Sequence, residues 1–437
     1  MLSHLDDLPT IKDLPGPKGK WFIGDALAFD AGPVKWMVEK QREYGDLVKM
    51  DSETITIHHP DLIHYVLDNT NKQFLLDNAV TSGSQGRQTL LNGLNAWMDS
   101  RKYLSKGLHH GILKAHIDRA KVNLIQTMAD NANKPQDLFD VSQRLLGYAV
   151  ADFCIGADPE FEQTFDLVEE VFWASLKVTD SGENRLPWLP RPIAKKAMEL
   201  NNQLVAQLTS MVRRRRQSPR PEEPRDALDH LIDNLTEAPE QQIVAATRLM
   251  MVTAHGPSGA IFSWLLLQLA SQPQWIEKIR EELTRHPISI QLRDHFPIAL
   301  ACIKETMRMN PANWLMGRTA GEDTELAGYL IPQDCRILFS PYVVHRDSRF
   351  WSDPNQFLPQ RWLEQKTPYT NNAYFPFGGG PRICPGALLG PVQLFLGLAT
   401  LLNRYDLDLP AIESVEPTHS TLMIPHQVTG SWHPRVG

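Results

Sequence analysis

From about residue 90 to residue 310, apolar positions recur mostly at the three-to-four spacing of a buried helix face. Shorter stretches break that rhythm. LVKMDSETITIHHP, residues 47–60, alternates β-branched and polar residues and predicts a pair of strands, after an extended stretch punctuated by Pro15 and Pro17. The longest run, PEQQIVAATRLMMVTAHGPSGAIFSWLLLQLASQP, is bounded by Pro239 and Pro273 and is apolar nearly all round. That is the pattern of a helix passing through the middle of a large domain. Another helix is predicted from Pro297 to Asn310, then short strands in ELAGYLI and CRILFS, then a last apolar helix in VQLFLGLATLL. QSPRPEEPRD, near 217–225, breaks the helical region without dividing it, and no internal repeat or low-complexity tract is present. The expectation is a single large domain over residues 1–437, mainly α with a minor β portion.

Composition narrows the function. The 437 residues are 42% apolar and include 11 tryptophans, enough for a substantial core. A formal charge of −7 argues against a nucleic-acid partner. The one basic run, Arg213 to Arg216, reads as a solvated helix end. Four cysteines, at 154, 302, 335 and 384, have neither a CxxC spacing nor a disulfide-framework pattern. They suit a reducing cytoplasm and exclude a zinc site of the usual kind. No signal peptide pattern opens the chain, and no stretch reaches the roughly 18 uninterrupted apolar residues of a membrane anchor.

Candidate chemistry gathers around one cysteine. FPFGGGPRICPG, residues 375–386, surrounds Cys384 with glycines and prolines that will not hold a packed strand. Pro385 and Gly386 predict a helix start, which would put the thiol at a helix N-terminus that favours thiolate. A thiolate so placed suits a metal ligand or a nucleophile; a turn with a buried cysteine is the plain alternative. Upstream, KETMR spaces Glu305 and Arg308 for pairing on one helix face, and DPNQFLPQRW presents Arg361 after two prolines.

The order Glu-x-x-Arg, Phe-x-Pro-x-Arg, Phe-x-x-Gly-x-Arg-x-Cys-x-Gly resembles that of the cytochromes P-450. Phe377, Gly380, Arg382, Cys384 and Gly386 fill every fixed position of the last motif. LPGPKG near the start, Trp97 and Arg101 in WMDSR, and GYLIPQDCRILFSPYVVHRD extend the resemblance along nearly the whole chain. It implies haem b with Cys384 as axial thiolate, whose electron donation favours O–O cleavage. It also implies that Trp97, Arg101, Arg318 and Arg382 bind the haem propionates and that Phe377 screens the sulfur. Gly378 to Gly380 and Gly386 would let the backbone approach the porphyrin, and Glu305, Arg308 and Arg361 would brace the loop.

One window departs from the family. Where the central helix usually carries an acid and an alcohol that deliver protons to dioxygen, this chain has Gly256 and Pro257, and neither donates a proton. Pro257 also removes the N–H that would serve the Thr253 carbonyl, costing about 3 kcal/mol in an ordinary helix. His255 reads as structural, and Ser258 is the hydroxyl best placed to hold a distal water. Met250, Met251, Val252 and the segment Asn313–Met316 are candidates for lining the substrate pocket. After the ligand, Gly390, Pro391 and Gln393 replace the alanine and glutamate more usual there.

Cysteine usage and the missing apolar span lead to the expectation of a soluble, cytoplasmic protein, a monomer with no fused reductase. The resemblance implies a monooxygenase of a lipophilic small molecule, of secondary metabolism, supplied by a ferredoxin- or flavodoxin-type donor. A peroxide-driven or isomerase-type enzyme is the alternative, because such branches also lack the acid–alcohol pair. A non-catalytic haem carrier or recruiting protein is the third.

Overall fold

The structure is a computed structural model that describes residues 7–18, 25–76, 110–156, 158–181, 191–219, 221–222, 224–419 and 422–435. It is mainly α with a minor β portion. The chain divides into two compact units, Met1–Ser82 with Met307–Cys384, and Gly83–Thr306 with Pro385–Gly437.

The first unit is built on a five-stranded sheet. The predicted strand pair forms as Leu47–Lys49 against Thr54–Ile57, antiparallel with Leu47 opposite Ile57. Thr54–Ile57 also pairs, in parallel, with Arg336–Phe339, which pairs antiparallel with Met316–Ala320, and that strand with Phe74–Leu76. All four residues of Thr54–Ile57 are buried, so this strand is covered on both faces. Ile55, Ile57, Phe74, Ile337, Phe339 and Trp351 form its core. The helix Pro60–Asp68 follows directly: Pro60 suits its first turn, and His59 Nδ1 accepts the Asp61 N–H at 3.2 Å as a cap. Its buried face, Ile63, Val66 and Leu67, belongs to the same core.

The second unit is a helical assembly around Glu240–Ser271, the central helix. Every residue from Gly259 to Leu269 is buried, as an apolar pattern all round predicts. It packs against Leu138–Ile155, and Gly259 permits the approach, since a Cβ there would stand 2.4 Å from Cα of Gln143. Trp264 secures the other side by donating its indole N–H to the Met423 carbonyl at 3.0 Å. The last apolar helix forms as Leu389–Leu402.

Two features differ from the sequence reading. The basic run ending Pro192–Gln217 is not simply solvated. Arg215 is buried, with its guanidinium 3.0 Å from Asp158, 2.7 Å from Asp226 and 3.1 Å from Asp229. Three surrounding carboxylates compensate its desolvation. The strands Tyr405–Asp408 and Thr429–Pro434, which pair antiparallel, were not signalled by an alternating pattern.

Candidate active site

The stretch around Cys384 is a loop whose shape its glycines dictate. Gly378 and Gly380 have φ of 71° and 61°, in the left-handed region that glycine occupies without strain. At Gly380 the requirement is double, because a Cβ there would lie 2.1 Å from the Leu67 carbonyl oxygen. The loop closes where the Cys384 N–H donates to the Phe377 carbonyl at 2.9 Å. Cys384 does not open an α-helix directly: a single 3-10 turn, Pro385–Ala387 with Gly386 at its centre, intervenes before Leu389–Leu402. The thiol nevertheless stands at the start of a helical turn. None of the four cysteines is in a disulfide, and Cys384 alone among them is exposed. Burial raises the thiol pKa of Cys154 and Cys302, and pushes that of Cys335 up to about 12. Those three behave as core residues.

A polar scaffold supports the loop from within the first unit. His345 is fully buried, its Nδ1 3.1 Å from the Arg308 carbonyl and its Nε2 accepting the Phe375 N–H at 3.0 Å. Those partners require a neutral ring with the proton on Nδ1. Burial and the charge of Arg308 hold its pKa down to about 3. Arg308 donates to the carbonyls of His345 and Pro354, both at 2.7 Å, and of Gln356 at 3.0 Å, and lies over the Trp351 ring. Arg361 donates to the carbonyls of Ser352 at 2.8 Å and Asp353 at 3.2 Å. Glu305, Arg308 and Arg361 are all buried. His345 lies in the stretch GYLIPQDCRILFSPYVVHRD, and nothing in its local pattern marks it as the pin between Arg308 and the loop.

Arg318 and Arg382 come to neighbouring residues. Arg318 Nε donates to the Thr70 hydroxyl at 2.9 Å, and Arg382 Nε to Asn71 Oδ1 at 3.1 Å. Two guanidinium groups are thus held at one turn, after the helix Pro60–Asp68. Phe377 is half-buried. Trp97 and Arg101 lie outside the described residues.

The central helix runs through Pro257. Gly256 is buried, and a Cβ on it would lie 2.4 Å from the Phe172 ring and 2.7 Å from Leu422 Cδ1. The position lacks an acid and also the room for one. His255 faces the core, its Nε2 meeting the side-chain amide of Gln143 and its ring beside Phe165 and Phe172. Burial, with a smaller contribution from Arg144, lowers its pKa to about 3, so near neutrality the ring is neutral and has no imidazolium proton to give. Pro257 and Ser258 are half-buried, and the Ser258 hydroxyl makes no hydrogen bond with a described residue. Met251 is buried, and Met250 and Val252 pack against the same helical core, so the structure gives these three a packing role.

Gln393, the unusual residue after the ligand, has a partner to match. Its side-chain amide nitrogen lies 2.8 Å from Nε2 of His116, whose Nδ1 lies 2.8 Å from Asp152 Oδ2. Arg119 approaches the other Asp152 oxygen at 3.3 Å. Gln393 thereby joins the chain of buried polar contacts His116–Asp152–Arg119.

Comparison with known proteins agrees with this architecture. The family profile described as Cytochrome P-450 matches residues 14–429. Ferruginol synthase of Salvia miltiorrhiza is 24% identical over 446 residues, covering 93% of this chain and 90% of that protein. The cytochrome P-450 monooxygenase pyvB of Aspergillus violaceofuscus is 27% identical, covering 88% and 81%. Corytuberine synthase of Coptis japonica is 30% identical over 267 residues, which is 59% of this chain and 50% of that one. The crystal structure of the cytochrome P-450DA haem domain superposes with a TM-score of 0.79 over 97% of both chains at 16% identity, a likeness of fold. No described helix is long and apolar enough to cross a membrane. With its fold matched end to end and the family profile spanning residues 14–429, this chain belongs to the cytochrome P-450 family.

Proposed function

We propose that this chain is a haem-thiolate monooxygenase that inserts oxygen into, or oxidatively couples, a lipophilic small molecule. Electrons would come from an external ferredoxin- or flavodoxin-type donor. One observation carries the reading: an exposed Cys384 on a glycine-shaped loop that a buried His345–Arg308 scaffold holds in place. Membership of the family implies haem b with an axial cysteine thiolate, and these residues suit it. The backbone at Gly378 and Gly380 turns as no other residue does easily, and Arg318 and Arg382 offer two cations to a pair of carboxylates.

In this reading Cys384 is the ligand to iron. Arg318 and Arg382, with Trp97 and Arg101, hold the propionates. Phe377 keeps water from the sulfur, and Gly380 and Gly386 admit the porphyrin's close approach. Bound through a thiolate, haem supplies the activation of dioxygen. The chain's own part is to orient the substrate and to manage protons, and there it is unusual. Gly256 and Pro257 offer none, and His255 is neutral and turned into the core. Ser258 is left as the hydroxyl that holds a water, or the substrate brings its own proton.

That same absence favours a second reading, an enzyme driven by peroxide or isomerising an oxygenated lipid. The two separate in one experiment. Small molecules are screened for displacement of the distal water by the Soret shift, and hits are incubated with dioxygen and a reductase pair, or with peroxide alone. Product that requires reductant supports the monooxygenase. Product formed equally well with peroxide and no reductant contradicts it, and spectral hits without turnover in either assay point to a ligand carrier.

A further inference from the structure

The first unit gathers oxidisable rings directly before the cysteine loop. Ring centroids lie 4.7 Å apart for Trp362 and Tyr374, 5.1 Å for Trp351 and Tyr369, and 5.7 Å for Tyr369 and Tyr374. Contact at this range contributes to packing. Indole and phenol are also among the side chains that give up an electron most readily. A continuous network of such rings therefore conducts charge as well as filling space.

The network has an inner and an outer end. Tyr374 immediately precedes Phe375, whose carbonyl accepts the Gly378 N–H at 2.9 Å, and the Phe377 carbonyl accepts the Cys384 N–H at 2.9 Å. Three Cα steps separate Tyr374 from Phe377, a span of at most about 11 Å. Short peptide and hydrogen-bond links thus join the phenol to the candidate ligand. The His345 ring bridges the same two residues, 5.4 Å from Tyr374 and 5.2 Å from Phe375. At the outer end, Trp362 and Tyr369 are half-buried and are followed in the chain by exposed Leu363 and Thr370.

Neighbouring groups decide where a missing electron rests. The Arg308 guanidinium lies 5.1 Å from the Trp351 ring centroid, and the Trp351 indole N–H donates to the Ala373 carbonyl at 3.2 Å. A fixed cation opposes a radical cation on that ring, and a backbone carbonyl takes no proton from it. Tyrosine escapes this penalty, because losing its phenolic proton with the electron leaves a neutral radical. Tyr374 and Tyr369 are the resting places.

We propose that this cluster drains oxidising equivalents from the haem when no substrate takes them, a role that rests on Cys384 as haem ligand. The oxidant is a hydroperoxide, whose O–O cleavage releases one water and leaves the haem two electrons short of its ferric state. Tyr374 gives one electron to the haem and its phenolic proton to water. The neutral radical, shared with Tyr369, regains one electron and one proton from a small reductant such as ascorbate. Two such cycles, with two protons from solvent, restore ferric haem and release the second oxygen as water.

Substrate-free ferric holoenzyme is mixed with hydrogen peroxide, freeze-quenched and examined by electron paramagnetic resonance, with ring-deuterated tyrosine to identify the signal. The parent should give a tyrosyl radical. Tyr369→Phe combined with Tyr374→Phe should lose it, whereas Tyr148→Phe, in the helical unit, should keep it. With ascorbate present, the double variant should also lose its Soret absorbance to peroxide faster than the parent. These substitutions remove only hydroxyl groups, and an unchanged ferrous carbonyl band checks that the site is loaded. With that band intact, no tyrosyl radical in the parent, a signal that survives the double substitution, or equal bleaching rates would overturn the route and leave the ligand assignment standing. A parent without the thiolate band would overturn both.

Discussion

A Cβ on Gly256 would lie 2.4 Å from the Phe172 ring and 2.7 Å from Leu422, so an aspartate there has to displace buried side chains. Overpacking of this kind costs about 1–3 kcal/mol, before any penalty for burying the carboxylate. Gly256→Asp should therefore lower stability by at least that amount in urea denaturation. In a Phe172→Ala background the same change should cost less, with a coupling above about 0.5 kcal/mol. Equal losses in both backgrounds would show that Phe172 is not what fills the position. The sequence shows that the acid and alcohol are missing. It does not show that the site has closed over the gap, because Phe172 and Leu422 are distant in the chain and no local pattern ties them to Gly256.

His345 shows how an element is held by groups that no periodicity displays. Its ring joins the end of the helix Pro297–Met309, through the Arg308 carbonyl, to Phe375 at the start of the cysteine loop. In His345→Leu both backbone groups lose their partner in the core, at about 1–3 kcal/mol each. The variant should release haem to an acceptor protein faster than the parent while keeping a thiolate-type spectrum in the fraction that retains it. An unchanged release rate would remove His345 from the scaffold. The long helices were legible from their apolar runs, and Leu47–Lys49 with Thr54–Ile57 from alternation. Pro257 did not end the central helix, since packing on both sides outweighs one lost hydrogen bond. The buried position of Arg215 was hidden because its carboxylate partners come from separate segments.

At the scale of the whole molecule, buried histidines with lowered pKa values shape the response to acid, and among the described residues these are His58, His255 and His345. Burial lowers the pKa of His58 to about 4, and those of His255 and His345 to about 3, from 6.5. Each is neutral when folded and takes up a proton on unfolding below pH 6.5, so its contribution is intact above that pH. It falls by about 1.4 kcal/mol per pH unit as pH drops from 6.5 toward the folded pKa. Glu169 and Glu282, raised by burial, act in the opposite sense. Stability by urea denaturation should decline from pH 7 to pH 5, and His255→Gln should flatten that decline by one proton's share; an unaltered slope would contradict a neutral buried His255.

The family and the loop around the candidate ligand were readable from three short motifs and the mainly α architecture from apolar periodicity, whereas the substrate was not, because the positions that would choose it read as ordinary core. What the whole account stands on is Cys384. The most direct measurement is the Soret band of the ferrous carbonyl complex in the parent, in Cys384→Ala and in Cys335→Ala. The parent and Cys335→Ala should show the red-shifted band of thiolate ligation, and Cys384→Ala should lack it. A thiolate-type band that persists without Cys384 would contradict the assignment of the ligand and the function built on it.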